Sequence, residues 1–156
     1  MAGLFRKRVK RLDSGRFKIR LGDEERGLLR NVSEEVRELL ASDEPSLRRL
    51  FPPAYLDDDE KEAEYQSLMR EDLLASHQAS LDTLEKTADA TELDEGELTA
   101  WMSALNQVRL VLGTSLDVTE DTDFALDPED PLAFSYAVYG FLGYLQEEIV
   151  TALAGW

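Results

Sequence analysis

The 156-residue sequence contains no cysteine and a single histidine, His77. Without thiols there is no disulfide scaffold, no thiolate metal site, no cysteine nucleophile and no cysteine-based redox switch. With one histidine, most catalytic triads and most zinc sites are excluded as well. Glycine-rich phosphate loops, G-x-S-x-G and H-E-x-x-H are all missing. So is the Glu-x-x-His spacing of di-iron bundles, because Leu74 stands three residues before His77. Long apolar runs are scarce. The longest uncharged stretch, Pro131 to Gln146, holds Ser135, three tyrosines and two glycines, whereas a membrane-spanning helix needs about 20 apolar residues. Met1 to Leu12 is basic and no apolar segment follows it, so no secretory signal is expected. These absences lead to the expectation of a cytoplasmic, non-enzymatic protein that needs no cofactor and does not enter a membrane.

Charge is abundant but unevenly spread. The net charge is −16. Residues 1–20 carry eight basic side chains (Arg6, Lys7, Arg8, Lys10, Arg11, Arg16, Lys18 and Arg20) against Asp13 alone, a charge of +7. The rest of the chain carries 9 basic and 32 acidic side chains, a charge of −23. Such a body repels nucleic acid, while the basic end attracts it. Two readings stand side by side. The eight cations are a candidate nucleic-acid-binding set, or the basic segment lies on the acidic body and neutralises it.

Apolar residues make up 43% of the chain, enough for one folded domain over 1–156. The basic segment, 1–21, reads as a β-hairpin. Phe17, Ile19 and Leu21 alternate with Lys18 and Arg20, and Phe5, Lys7, Val9 and Arg11 share one side of a preceding strand. Asp13-Ser14-Gly15 is the turn. Residues 22–156 read as an acidic helical bundle. The fold class is therefore mainly α, a bundle of about four main helices with an N-terminal β-hairpin.

The first helix spans about Asp23 to Ala41, with Leu28, Val32, Val36 and Leu39 at helical spacing. Ser46 to Phe51 gives one or two helical turns, stopped by Pro52-Pro53. The second long helix runs from about Glu60 to Ala88. Its apolar stripe bends: Tyr65, Leu68 and Met69 set one direction, and Leu74, His77, Leu81 and Leu84 another, so its halves are expected to meet different neighbours. His77, on the apolar side, is expected to be a hydrogen-bonded structural residue.

The third helix follows Asp94 as N-cap with Glu97 at the third position, a capping box. Leu98, Trp101, Met102, Leu105, Val108, Leu112 and Leu116 form its stripe, and Arg109 falls amid them. A cation there must be paired or reach water. The expected arrangement is a buried ion pair, with Glu147 or Glu148 among the available acids. The alternative is an anchor for a ligand. The segment from Leu116 to Asp127 is acidic and unpatterned, and reads as a loop with a short extended piece at Asp117-Val118-Thr119. The last helix is expected from Pro131, with Asp130 as N-cap. It is apolar on most of its circumference, hence central to the bundle or shared with a second subunit. Gly140 and Gly143, costly inside a helix, are expected where a neighbouring helix packs closely.

Three stretches carry a resemblance: PSLRRLFPPAY at 45–55, WMSALNQVRLVLGT at 101–114 and YGFLGYLQE at 139–147. Through them nearly the whole chain resembles an actinobacterial family of unknown-function proteins. That family is related to the actinomycete oxidative stress transcriptional regulator and is often encoded near the Clp protease adaptor ClpS. None of these motifs is a catalytic signature. Arg48, Arg49, Trp101, Asn106, Arg109, Gly140, Gly143 and Glu147, which lie in them, are the candidate structural or interaction residues. The resemblance implies a regulator of transcription under oxidative stress, working through a protein partner of the transcription machinery. DNA bound through the hairpin and a second copy of the chain are further candidate partners. A protein-interaction adaptor with no DNA role is the alternative. Redox sensing in such a regulator would use cysteines, so any oxidative response here must come through a partner or be absent.

Overall fold

Alternating apolar residues and a Gly-containing turn produce a hairpin at the N-terminal end of the computed structural model, which describes residues 7–42, 45–116 and 129–155. Strand β1 is Val9–Arg11 and β2 is Phe17–Ile19, antiparallel with Val9 opposite Ile19 and Lys10 opposite Lys18. Gly15 takes φ 86°, in the left-handed region where a side chain is disfavoured. The turn closes with the Leu12 N–H donating to the Arg16 carbonyl (2.8 Å). Phe5 and Arg6 lie outside the described residues. A third strand, β3 at Glu92–Leu93, pairs antiparallel with β2 and sets Leu93 beside Phe17. At two residues it is too short to show an alternation. Val9, Phe17, Ile19 and Leu93 form the buried face of this sheet, and Lys10, Lys18 and Glu92 its solvent face.

Helix α1 spans Asp23–Leu39, with Asp23, Glu24 and Glu25 in its first turn, where negative charge suits the helix dipole. Its buried face is Arg26, Leu29, Ser33 and Val36. The expected stripe of Leu28, Val32 and Leu39 is only half-buried, rotated off the centre because Arg26 and Ser33 point inward with their polar groups satisfied. A 3-10 turn, Pro45–Leu50, places Leu47 and Leu50 in the core. Helix α2 follows at Asp59–Thr87, capped by Asp58, whose side chain accepts the Lys61 N–H (3.0 Å). Its second half buries Leu81 and Leu84. Its first half meets a different neighbour, the loop after the 3-10 turn, where Tyr65 contacts Tyr55 and Arg70 lies over Phe51, without burying a side chain completely. Tyr65 is half-buried, and Leu68 and Met69 face solvent.

Helix α3, Glu95–Ser115, begins with the expected capping box. The Glu97 N–H donates to Asp94 (2.7 Å) and the Asp94 N–H to Glu97 (2.9 Å). It is the central helix, packed against α1, α2, β3, the 3-10 turn and the last helix. Leu98, Trp101, Ala104 and Leu105 are wholly buried on it, and the Trp101 indole N–H donates to the Thr87 hydroxyl (2.6 Å). The acidic segment after Leu116, including Asp117 to Thr119, lies outside the described residues.

Helix α4 is Ala133–Ala154, two residues shorter at its start than expected. Asp130 caps the preceding turn instead. Its carboxylate accepts the Leu132 N–H (2.8 Å) and its carbonyl the Ala133 N–H (2.9 Å). Contrary to a central position, α4 is peripheral. It buries one face (Val138, Leu142, Leu145, Ile149 and Ala152) and turns Phe134, Tyr144 and Val150 to solvent. Gly140 is correspondingly open, with nothing within 4 Å of an added Cβ, so no helix packs closely there among the described residues.

Candidate functional site

The hairpin cations divide into those used inside the molecule and those facing water. Arg8 is clamped on α4 and α1. Its backbone N–H donates to Glu148 (3.0 Å) and its Nε to Glu25 (3.1 Å). Its guanidinium lies 5.5 Å from the centre of the Phe141 ring and 5.7 Å from that of Tyr144, distances at which a cation is drawn to the ring face. Arg11 donates to the carbonyls of Ala152 (3.2 Å) and Leu153 (3.0 Å), the negative end of α4, and covers the Phe17 ring at 5.0 Å. Arg16 pairs with Glu92 (3.3 Å). Arg20 is half-buried against the body. Lys7, Lys10 and Lys18 are exposed, with Lys10 and Lys18 directly opposite on the outer face of the sheet. Like charges opposite one another on a sheet are mutually destabilising. The hairpin thus lies on the acidic helices, with Arg8 and Arg11 committed there, Arg16 paired across the sheet to β3, and its lysines turned outward.

The remaining candidate residues do not form one cluster. Arg48 is exposed on the 3-10 turn. Arg49 is also exposed, and its guanidinium reaches over Gly113 of α3, 3.4 Å from where a Cβ would stand. Trp101 is wholly buried, and Asn106 and Glu147 face solvent on α3 and α4. Arg109 departs from expectation. It is half-buried, and its partner is an amide: Nη1 donates to Gln146 Oε1 (2.7 Å), with no carboxylate pairing among the described residues. The guanidinium stacks on Tyr139 (5.0 Å) and crosses α4 at Gly143, where an added Cβ would sit 3.2 Å from Nε. Gly143 therefore makes room for a side chain, not for a helix. Glu147 points outward and Glu148 is held by Arg8, which leaves Gln146, one turn beyond Gly143 and two beyond Tyr139, as the group within reach.

Two features escape the sequence patterns. The first is Arg26, whose guanidinium is buried among backbone carbonyls: Ala88 (2.7 Å), Ala90 (2.8 Å), Leu21 (3.1 Å) and Ile19 (3.3 Å). The only signal was an arginine three residues before Leu29. The second is the uncovered apolar surface. Leu68 (75% exposed) and Met69 (40%) on α2 share a groove with Tyr55 (45%) of the loop before it, Leu56 (80%) is exposed in the same loop, and Phe134 (74%) and Tyr144 (58%) are exposed on α4. His77 takes the structural role expected of it. Its Nε2 lies 3.2 Å from the Leu50 carbonyl and its ring meets the edge of Phe51.

Among the described residues, no group of histidines and acids is arranged to hold a metal ion, and no helix is long and apolar enough to cross a membrane. The fold is that of an acidic helical bundle carrying a small basic sheet. The chain belongs to the family DUF2017, described as a domain of unknown function, whose model matches residues 5–153. Among curated proteins it is similar to the oxidative stress regulator AosR of Mycobacterium tuberculosis and of Mycobacterium bovis. Each is 30% identical over 190 aligned residues, covering 96% of this chain and 87% of the relative. The putative oxidative stress regulator AosR of Mycobacterium leprae is 31% identical over 128 residues, covering 71% of this chain and 59% of that protein. No solved structure matches the chain. These relatives are named as regulators, not as enzymes.

Proposed function

We propose that this chain is a non-enzymatic cytoplasmic regulator of the oxidative stress response that acts by binding a protein of the transcription machinery. One observation carries the reading: Arg8, Arg11 and Arg16 of the basic hairpin are spent on the chain's own body while apolar side chains on α2 and α4 stand in solvent. A hairpin that contacts phosphates needs several free cations. Here Arg8 and Arg11 are tied to Glu25, Glu148 and the end of α4. Exposed apolar patches, by contrast, mark interaction surfaces. The names of the mycobacterial relatives support the regulatory role. With no cysteine in the chain, a thiol-based sensor of oxidation belongs to the partner in this reading.

A second reading keeps DNA as a ligand through Lys7, Lys10 and Lys18. The facing pair Lys10 and Lys18 favours it, because an anion between them would relieve their repulsion. DNA affinity measured against salt separates the two readings. The partner reading expects no binding at physiological salt and no change when the three lysines become alanine. A steep salt dependence that falls by about one unit of slope per lysine removed would establish the DNA reading.

A further inference from the structure

Helix α2 has 29 residues and is thus about 43 Å long, yet no side chain between 59 and 80 is fully buried. Local devices hold this half in place. Glu62 accepts the N–H groups of Ala54 and Tyr55 (both 2.8 Å) and the Gln66 amide (2.7 Å), and Arg70 lies 4.1 Å over the Phe51 ring. Tyr55 meets the edge of Tyr65 at 6.2 Å. The result is an open, shallow groove of about 310 Å³ lined by Tyr55, Lys61, Glu64, Tyr65, Leu68 and Met69. Tyr65, Leu68 and Met69 recur at the spacing of one helical face, so the stripe has the form of a helix–helix seam with its second helix missing.

The charge around the groove says which helix fits. Glu60, Glu64 and Glu71 follow one edge of the stripe at intervals of four and seven residues, and all three are exposed. Asp57 and Asp59 stand exposed at its N-terminal end. A second copy of the same face, packed antiparallel, would set these acids against their equals, which disfavours it. Among the described residues no strand lines the groove to pair with an extended peptide, whereas an apolar stripe accepts the i, i+3, i+4 anchors of a helix. We propose that the start of α2 and the loop before it dock a basic amphipathic helix of a partner protein. The inference rests on the partner reading above and gives that partner its chemistry.

The test is fluorescence anisotropy of the full chain with two synthetic 18-residue peptides. One carries leucines at helical spacing with lysine and arginine elsewhere; the other is its scrambled sequence. The amphipathic peptide is expected to bind at least about tenfold more tightly than the scrambled one. Leu68→Asp is expected to weaken it about tenfold, and Phe134→Ser on α4 to leave it unchanged. Both replaced side chains are exposed, and circular dichroism checks that both variants fold. The sign for Leu68→Asp is decisive, since pure charge attraction to a basic peptide would be strengthened by the added acid. Equal binding of the two peptides, or undiminished binding by Leu68→Asp, overturns the proposal. So does ultracentrifugation showing a dimer that Leu68→Asp dissolves, because the occupant is then a second copy. Loss of peptide binding on Phe134→Ser alone moves the surface to α4 and leaves the partner reading standing. A stress response that persists unchanged in a Leu68→Asp, Phe134→Ser double variant removes the partner reading itself.

Discussion

Arg26 gives the sharpest prediction about stability. Its guanidinium joins the end of β2 (Ile19 carbonyl), the entry to α1 (Leu21) and the end of α2 (Ala88 and Ala90), through four hydrogen bonds to backbone carbonyls. The last carbonyls of a helix lack partners within it, and the dipole makes that end favourable for a cation. The bonds to Ala88 and Ile19 are buried, and those to Leu21 and Ala90 lie nearer the surface. Truncation to alanine leaves two carbonyls dry, each at a cost of about 1–3 kcal/mol, while water recovers the outer two. Arg26→Ala is therefore expected to lose about 3–4 kcal/mol, a large share of a typical domain's stability. Arg26→Lys keeps the charge without the planar fork and is expected to lose about half as much. Urea unfolding followed by far-ultraviolet circular dichroism measures both. A loss below about 1 kcal/mol for alanine, or equal losses for alanine and lysine, would refute the reasoning.

Arg109→Ala is expected to cost only about 1–2 kcal/mol in the same assay, because it breaks one hydrogen bond to a neutral amide and a stack on Tyr139. A loss above about 4 kcal/mol would mean that a buried carboxylate is its real partner. Glu62 has its pKa lowered from 4.5, chiefly by the Tyr55 N–H and the Gln66 amide, with Ala54 adding to them. Since the folded state favours the carboxylate, its contribution is present above pH 4.5 and fades as pH falls through the lower folded value. The stability difference between wild type and Glu62→Gln should therefore shrink with acidification in urea titrations; a difference that grows would reverse the assignment. With no thiol in the chain, mild peroxide followed by thiol reductant should leave its affinity for any partner unmoved. A reversible change would contradict that.

Much of the fold is legible from sequence because it depends on local chemistry. The Asp94–Glu97 capping box, the Gly15 turn and the Pro52-Pro53 stop each act over a few residues, and the structure places them as read. Failures occur where a distant group decides. Arg26 looks like a surface residue until the carbonyls of β2 and α2 arrive around it. Arg109 meets Gln146 because Gly143 lets its side chain cross α4, and no spacing on α3 reveals that. The start of α4 follows the same logic. Asp130 is a good cap, but its carboxylate is used one residue before the helix begins. Of the candidate site, the hairpin's charge was plain and its engagement with Glu25, Glu148 and α4 was left open. The apolar face at the start of α2 was visible as a stripe, yet periodicity alone cannot tell a covered stripe from a bare one.

The central claim is that this regulator works through a protein partner and not through its lysines on DNA. In cells deleted for the native gene, the transcriptional response to oxidant can be compared after complementation with three versions: wild type, a Lys7→Ala, Lys10→Ala, Lys18→Ala variant, and a Leu68→Asp, Phe134→Ser variant. The account predicts that the lysine variant restores the response and that the surface variant, present at equal level, does not. Restoration by the surface variant with loss in the lysine variant would contradict it.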